Sequence, residues 1–204
     1  PKQTVVRRTA GKWFVCFLLE LENPPPLPST GEDVGVDLGI STFAALSTGE
    51  ISDGPRAFKA ARDDLKRAQR RMARRRRGSH RREKARRQVS ARHERVREVR
   101  RDHAHKLALD LVRRFDTIYV EDLNIAGLGR TMMAREVHDQ SWGGFLAILR
   151  AKAEWAGREV IAVDPRGTSQ RCSSCGELVP KPLKERIHRC KCGHVADRDV
   201  NAAQ

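Results

Sequence analysis

One segment of the chain constrains the fold more than any other. Residues 57–114 contain no proline and a single glycine, Gly78. An uninterrupted stretch of this kind predicts helix, and Gly78-Ser79 near its middle predicts a break between two helices that fold back as an antiparallel hairpin. The first helix has few apolar residues, so we expect it to be solvated or covered by a partner. The second has a thin apolar stripe at helical spacing, formed by Val89, Val96, Val99, Leu107, Leu111 and Val112.

The same segment carries the positive charge of the protein. Between Arg56 and Arg114 there are 24 Lys and Arg against 7 Asp and Glu, whereas the rest of the chain has 17 against 19, so the net charge of +15 arises here. Such a surplus indicates a polyanionic partner, either nucleic acid or an acidic membrane surface. The longest apolar run, Trp13–Leu19, is far too short to span a bilayer, so we exclude a membrane-spanning protein.

The arginines of this insert are candidates for phosphate contact. Aromatic residues make up only 5% of the chain, so base stacking is disfavoured, and recognition of a duplex or hybrid backbone by its shape fits better. The simpler interpretation of a run such as Arg74–Arg77 is a solvated helix face. The predicted nucleic-acid-binding residues are Arg70, Arg71, Arg74, Arg75, Arg76, Arg77, Arg81, Arg82, Arg86 and Arg87.

Short strands and one further helix flank the insert. Residues 3–22 predict a β-hairpin in which Cys16 lies in a core, and residues 23–33 form a proline-rich linker. Apolar strands are expected at 34–40, 42–46, 50–52, 117–121 and 159–163, a loop at 124–138, and an amphipathic helix at 142–155 whose Trp142 and Trp155 are buried.

The strongest local motif is a set of four cysteines near the C-terminus. Cys172 and Cys175 are followed, after 14 residues, by Cys190 and Cys192. Two close thiolate pairs on tight turns suit a tetrahedral structural Zn²⁺, and the pattern favours a reducing compartment over a disulfide framework. Because the second pair is C-x-C, a site with three cysteines and one histidine, His188 or His194, stays open, as does a pair of free or redox-active thiols.

Three separated carboxylates form a second constellation. Asp37 and Glu121 each interrupt an apolar strand, where an unpaired charge is costly to bury, and Asp199 lies at the start of a predicted helix. Three converging acids could bind Mg²⁺ or Mn²⁺, and a pair of such ions can activate water and stabilise the leaving oxygen of a phosphodiester. Spacing alone leaves open that they are strand-edge residues facing solvent, and Asp197 is the closest alternative to Asp199.

The order of the motifs adds a family resemblance. Gly35–Gly39, Val120–Asn124, Thr168–Gly176 and Asp197–Ala203, together with the basic insert, closely resemble the C-terminal half of TnpB-type (OrfB) proteins of bacterial insertion sequences, relatives of type V CRISPR effector nucleases. The resemblance implies an α/β, RNase H-like (RuvC-type) mixed sheet with a basic helical-hairpin insert and a zinc ribbon. It also implies that Asp37, Glu121 and Asp199 are the catalytic metal ligands of an RNA-guided DNA endonuclease, with a DNA target and a guide RNA as partners.

The resemblance also implies a domain plan. Residues 1–22 would be the remnant of an N-terminal wedge domain, 34–164 the RuvC-like domain, 165–195 the zinc ribbon and 196–204 the start of the last helix. The start at Pro1, without an apolar signal segment, predicts a piece of a longer cytoplasmic protein. Two alternatives stay open, a zinc-ribbon protein that binds nucleic acid without cutting it and an unguided structure-specific resolvase.

Overall fold

A computed structural model of the chain describes residues 2–9, 11–22, 25–39, 42–54, 56–123, 141–182 and 185–204. The chain divides into two compact units, Pro1–Pro24 with Pro55–His103, and Pro25–Gly54 with Ala104–Gln204. Within the described ranges, no helix is both long enough and apolar enough to cross a membrane. The loop predicted at 124–138 lies outside the described residues.

The first unit begins with the predicted hairpin. Strands β1 (Gln3–Thr9) and β2 (Lys12–Leu18) pair antiparallel, and Gly11 turns the chain between them with a φ of +85°, which glycine adopts without strain. The hairpin is confirmed, but the prediction of a buried Cys16 is wrong, because this residue is exposed. Among the described strands this sheet has only two, so its apolar side chains are left facing outward.

The basic insert forms the two predicted helices, α1 (Arg56–Ala73) and α2 (His80–Arg114). Gly78, at φ +79°, and Ser79 make the break, and the Ser79 hydroxyl accepts a hydrogen bond from the Arg82 amide at 3.2 Å. Arg82 also donates to backbone carbonyls of the preceding helix end, which holds the two helices antiparallel. The small apolar cluster between the helices comprises Ala61, Leu65, Ala68, Val89 and Val96, with Met72 packed against it.

The second unit is built on a five-stranded mixed sheet in the order β5-β4-β3-β6-β7. Strands β3, β6 and β7 run parallel, whereas β4 and β5 are antiparallel additions at one edge. The five predicted strands are confirmed; the last two have the predicted bounds, the two antiparallel strands are slightly shorter, and the first begins one residue earlier and ends three residues earlier than predicted. They are β3 (Asp33–Asp37), β4 (Ala44–Leu46), β5 (Ile51–Ser52), β6 (Thr117–Glu121) and β7 (Glu159–Val163).

The core of this unit lies on one face of the sheet. Helix α3 (Trp142–Ala156) packs Phe145 and Leu149 against the strands, and the C-terminal part of α2 adds Leu111. Trp142 is buried as predicted, whereas the prediction for Trp155 is wrong: it is 55% exposed because it lies on the outer face of the helix. The remaining core residues include Val34, Val36, Leu38, Phe43, Leu46, Ala108, Val112, Phe115, Ile118, Val120 and Leu146.

An ion pair ties the proline-rich segment to this core. Asp116 accepts hydrogen bonds from the backbone amides of Thr30 and Gly31 at 2.9 and 2.8 Å, and Arg158 donates to it at 2.5 Å. Arg158 also donates to the Pro28 carbonyl at 2.7 Å. Hydrogen bonds from the Ser29 hydroxyl and from the backbone amides of Thr30 and Gly31 hold the pKa of the Asp116 carboxyl well below its usual range.

The chain ends in a small hairpin and a short helix. Strands β8 (Ile187–Arg189) and β9 (Val195–Asp197) pair antiparallel and lead directly into α4 (Arg198–Ala203). Helix α4 packs against β3 and β4, so the C-terminal residues cover the sheet face opposite the core.

Candidate metal sites and basic surface

Successive residues of strand β3 face opposite sides of the sheet, so one set lies in the core and the other lies at the candidate site. Val34, Val36 and Leu38 are buried in the core, so the intervening Gly35, Asp37 and Gly39 belong to the opposite face of the strand. The absence of a side chain at Gly35 lets α4 approach closely. A Cβ atom there would lie 1.8 Å from the carbonyl oxygen of Ala203. A Cβ on Gly39 would lie 3.6 Å from an oxygen of Asp199, which places that acid beside the Asp37 face.

Glu121 comes to the same edge from the neighbouring strand. Strands β3 and β6 are parallel, and Val36 is the register partner of Val120. The next residues along these strands are Asp37 and Glu121, so both carboxylates end parallel strands at the same sheet edge and on the same face. Within β6, Ile118 and Val120 point into the core, which leaves Glu121 on the face opposite it.

The third acid is set by the cap of helix α4. The carboxylate of Asp197 accepts hydrogen bonds from the amides of Asp199 and Val200 at 2.8 and 3.4 Å and is therefore the N-cap. Asp199 is free of this task, and its side chain is only 14% exposed. The structure thus distinguishes the two neighbouring aspartates: one caps the helix and the other lies with Asp37.

The charges of Glu121 and Asp199 act on Asp37. Burial, followed by the charges of Glu121 and Asp199, raises the pKa of Asp37 to about 7, against smaller opposing effects of Arg198 and Arg186. Burial also raises the pKa of Glu121, although a hydrogen bond from Thr168 opposes the shift. A half-buried cluster of like charges is what a divalent cation with hard oxygen ligands would neutralise.

Several supporting residues were not singled out by the sequence. Thr168 donates to Glu121 Oε1 at 2.6 Å, and Thr42 donates to Asp199 Oδ2 at 3.4 Å. Arg186 reaches Asp199 Oδ1 at 3.4 Å. These contacts join segments far apart in the chain. The one signal in the sequence was that Thr168 begins a motif that carries the family resemblance, and a single hydroxyl does not indicate which side chain it will contact.

The four cysteines come together in the described part of the chain. The Sγ atoms of Cys172, Cys175, Cys190 and Cys192 all lie within 4.8 Å of one another. Cys172 and Cys192 are 3.7 Å apart, and Cys175 and Cys190 are 3.5 Å apart. A tetrahedron of thiolates around Zn²⁺ with bonds of about 2.3 Å has edges of about 3.8 Å, so the donor set and its spacing fit that ion.

The two histidines that could replace a cysteine have other contacts. His188 is fully buried, and its Nδ1 lies 2.6 Å from Lys181 Nζ, whereas His194 Nε2 lies 3.1 Å from the Ser173 hydroxyl. The grouping of potential ligands found among the described residues contains the four thiols and neither ring. In the ranges that the structure describes, the buried Nε2 of His188 has no hydrogen-bond partner that meets standard geometry, although the ring lies close enough to Cys172 to influence its pKa.

The thiols differ in acidity, which favours metal loading. Burial raises the pKa of Cys172, but the amides of Cys175 and Ser174 and the His188 ring outweigh this effect and lower it to about 6. The Glu177 amide lowers the pKa of Cys175, yet hydrogen bonds with the other thiols dominate and raise it to about 12. Zinc binds thiolates, so a cation bound at this cluster must displace the protons that its thiols still hold.

The arginines of the basic surface fall into two groups. Arg82 is half-buried and bonded to backbone carbonyls at the helix break, which is a structural role. Arg86 and Arg87 contact Glu83 at 3.0 and 3.5 Å with their side chains mostly exposed. The other predicted residues, Arg70, Arg71, Arg74, Arg75, Arg76, Arg77 and Arg81, are exposed.

Family comparisons cover almost the whole chain. The family model OrfB_IS605, described as "Probable transposase", matches residues 16–132, and the model of the Cas12f1-like TNB domain matches residues 142–204. Two consecutive matches of this kind account for both the strand-and-insert region and the cysteine-bearing end.

Individual relatives agree with these matches. The chain is 41% identical to a "Putative RNA-guided DNA endonuclease" of Streptomyces pristinaespiralis, over 98% of this chain and 50% of the relative. It is 30% identical to "Putative RNA-guided DNA endonuclease InsQ" of Escherichia coli K12, over 100% of this chain and 55% of the relative. The chain thus spans about half the length of these relatives.

A solved structure shares the fold. The "Cryo-EM structure of the Cas12f1-sgRNA-target DNA complex" contains a chain that matches with a TM-score of 0.61 at 16% identity, over 97% of this chain and 54% of that one. The mixed α/β architecture described above is therefore similar to the fold of Cas12f1.

Proposed function

The chain belongs to the OrfB_IS605 family of transposases, and on this premise we propose that it is the nuclease half of an RNA-guided DNA endonuclease. The reaction is divalent-metal-dependent hydrolysis of DNA phosphodiesters in a RuvC-like domain. The observation that carries the proposal is that three carboxylates from three separate elements lie near one another, since the charges of Glu121 (β6) and Asp199 (α4) both raise the pKa of Asp37 (β3).

The residues present fit a hard divalent cation. Mg²⁺ or Mn²⁺ would be held by the oxygens of Asp37, Glu121 and Asp199, and when bound it would supply a water of lowered pKa and charge stabilisation of the leaving oxygen. Asp37 and Glu121 are held by the sheet, so their separation changes little. Thr168 orients Glu121, and Arg186 and Thr42 orient Asp199.

The basic hairpin would supply affinity for nucleic acid. Its exposed arginines lie along two helices that have few aromatic residues on which bases could stack. This arrangement suits contact with the phosphates of a guide RNA or target DNA. Sequence selection by this surface is not expected, because phosphate contacts carry no direct sequence information.

The cysteine segment would be a structural zinc ribbon. Its own apolar core is minimal, so metal binding must provide most of its folding free energy. We expect one Zn²⁺ per purified chain, and removal by chelation should unfold residues 165–195 while the five-stranded sheet persists. Metal analysis combined with proteolysis of the chelated protein measures both, and a metal content well below one per chain would contradict the site.

Cleavage of single-stranded DNA by the zinc-loaded chain tests the nuclease proposal. We expect cutting only with Mg²⁺ or Mn²⁺, a loss of at least ~10²-fold in Asp199→Asn, and retained DNA binding. Asp122→Asn is the matched control, because this carboxylate follows Glu121 directly but is exposed, and it should stay within about threefold.

The same measurement, repeated on branched and on linear duplex DNA with and without a guide RNA, separates the alternatives. DNA that is bound but never cut with either divalent ion would favour a non-cleaving binding protein. Cutting that follows branch structure and ignores an added guide RNA would favour a structure-specific resolvase. Either result would overturn the proposal for this chain.

A further inference from the structure

Helix α4 connects the two candidate metal sites through one buried side chain. Asn201 is 2% exposed, and its amide makes two hydrogen bonds to the backbone of the cysteine segment. Its Nδ2 donates to the carbonyl of Arg171 at 2.8 Å, and its Oδ1 accepts from the amide of Ser173 at 3.1 Å. The two backbone groups flank Cys172, so the side chain clamps the residue that begins the four-cysteine cluster.

The same helix carries a ligand of the acidic site. Asp199 lies two residues before Asn201, and both belong to the six-residue helix Arg198–Ala203. A second buried residue, Arg198, donates to the Ser169 hydroxyl at 3.2 Å, which adds a further connection to the segment preceding Cys172. A helix this short moves as one body, so the position of the Cys172 turn and the position of Asp199 are mechanically linked.

We propose that Asn201 is a positioning residue that couples zinc binding at the cysteines to divalent-cation binding at Asp37, Glu121 and Asp199. Zinc fixes the Cys172 turn, the turn holds Asn201, and Asn201 holds α4 with Asp199 directed at the sheet. Because such coupling is reciprocal, a cation at the acids must also tighten the hold on zinc by the same factor. The inference rests on both metal sites of the proposed function.

Other residues of α4 provide the contrast. Gln204, at the end of the helix, also contacts the cysteine segment, because its side chain accepts from the Ser173 hydroxyl at 2.8 Å. Unlike Asn201 it is exposed, and in the cysteine segment it contacts only the Ser173 side chain and not the backbone on either side of Cys172; its Nε2 also donates to the Ser47 carbonyl at 3.2 Å. Gln204→Ala is therefore a matched control that removes an amide from the same helix.

The test is a linkage cycle on the whole chain. Mn²⁺ affinity is measured calorimetrically in protein loaded with one Zn²⁺, and Zn²⁺ affinity is measured by competition with a chromophoric chelator, with and without Mn²⁺. In the wild type, Mn²⁺ should tighten zinc binding by fivefold or more. In Asn201→Ala, the Mn²⁺ affinity of the zinc-loaded protein should fall by that same factor of fivefold or more, and the effect of Mn²⁺ on zinc should vanish. Gln204→Ala should behave as the wild type.

Additional measurements keep the result interpretable. The Co²⁺ absorption spectrum of Asn201→Ala should still show four thiolate ligands, which separates loss of coupling from loss of the zinc site. Asn201→Asp keeps the acceptor for Ser173 and loses the donor to Arg171, so it should lie between the wild type and Asn201→Ala, and it replaces the alanine variant should that variant fail to fold.

Each outcome has a defined meaning. A wild-type chain that binds no Mn²⁺ would refute the acidic site of the proposed function and this inference with it. A wild-type chain that binds both metals without mutual effect, or an Asn201→Ala chain that keeps the effect, would refute the coupling alone.

Discussion

Gly35→Ala should displace Asp199 without touching any carboxylate. A methyl group at this position would lie 1.8 Å from the Ala203 carbonyl oxygen and 2.9 Å from its carbonyl carbon, against a practical limit of 3.0 Å. The atoms in contact are backbone, so no side-chain rotation relieves them, and α4 must withdraw by at least about 1.2 Å. Misplacement of a catalytic group by about 1 Å costs on the order of 10²-fold in rate.

The assay for this variant combines Mn²⁺ affinity with DNA cleavage. We expect Mn²⁺ binding to weaken at least tenfold and cleavage to fall about 10²-fold, with a stability cost of about 1–3 kcal/mol from the overpacked contact. Gly54→Ala is the matched control, because a Cβ there meets no atom within 4 Å and its backbone is not left-handed. Mn²⁺ affinity at the wild-type level in Gly35→Ala would show that this contact does not position α4, and the reasoning would fail.

Three further predictions concern charge and hydrogen bonding. Replacing Arg74–Arg77 by Ala should flatten the log–log salt dependence of RNA binding by about three to four units, at about 0.9 per duplex phosphate, and an unchanged slope would mean that the run is only solvated. Without Mg²⁺ or Mn²⁺, the raised pKa of Asp37 means that the folded state holds its proton longer, so stability should fall as pH rises from about 4 to about 7. In Asp37→Asn, the decrease in the free energy of unfolding over this pH range, measured by urea denaturation, should be smaller than in the wild type by up to about 4 kcal/mol. Equal decreases in the two proteins would contradict the burial of this charge. Thr168→Val should lower the rate of cleavage about tenfold and Thr168→Ser should restore it, whereas equal rates in all three proteins would exclude a role in orienting Glu121.

Local patterns were sufficient to predict most elements and the grouping of the four cysteines, whereas the assignment of the three carboxylates came from the family resemblance and stays a prediction. Because side chains alternate along a strand, Asp37 of β3 and Glu121 of β6 lie on the face opposite the apolar core residues. Two pairs of cysteines on tight turns are the usual pattern of a tetrahedral thiolate site. The break at Gly78 follows from the same short-range physics, whereas the role of Asp197 as helix cap was seen only in the structure.

Long-range contacts were beyond the reach of the sequence. Thr168 and Glu121 are hydrogen-bonded across a sequence separation of 47 residues, and Asn201 and Arg171 across 30. The sequence around a hydroxyl or an amide does not indicate which distant group it will bond. The predictions that Cys16 and Trp155 are buried were wrong for a related reason. An apolar residue in a helix or strand is buried only where a second layer of structure covers its face. The sequence does not say which faces are covered.

The anomalous signal of Mn²⁺ in crystals of this chain tests the central claim most directly. The account predicts a manganese peak with oxygens of Asp37, Glu121 and Asp199 within about 2.0–2.3 Å, lost in Asp199→Asn and retained in Asp122→Asn. A peak that avoids these three carboxylates, or one that is unchanged in Asp199→Asn, would contradict a metal-dependent nuclease site at this edge of the sheet.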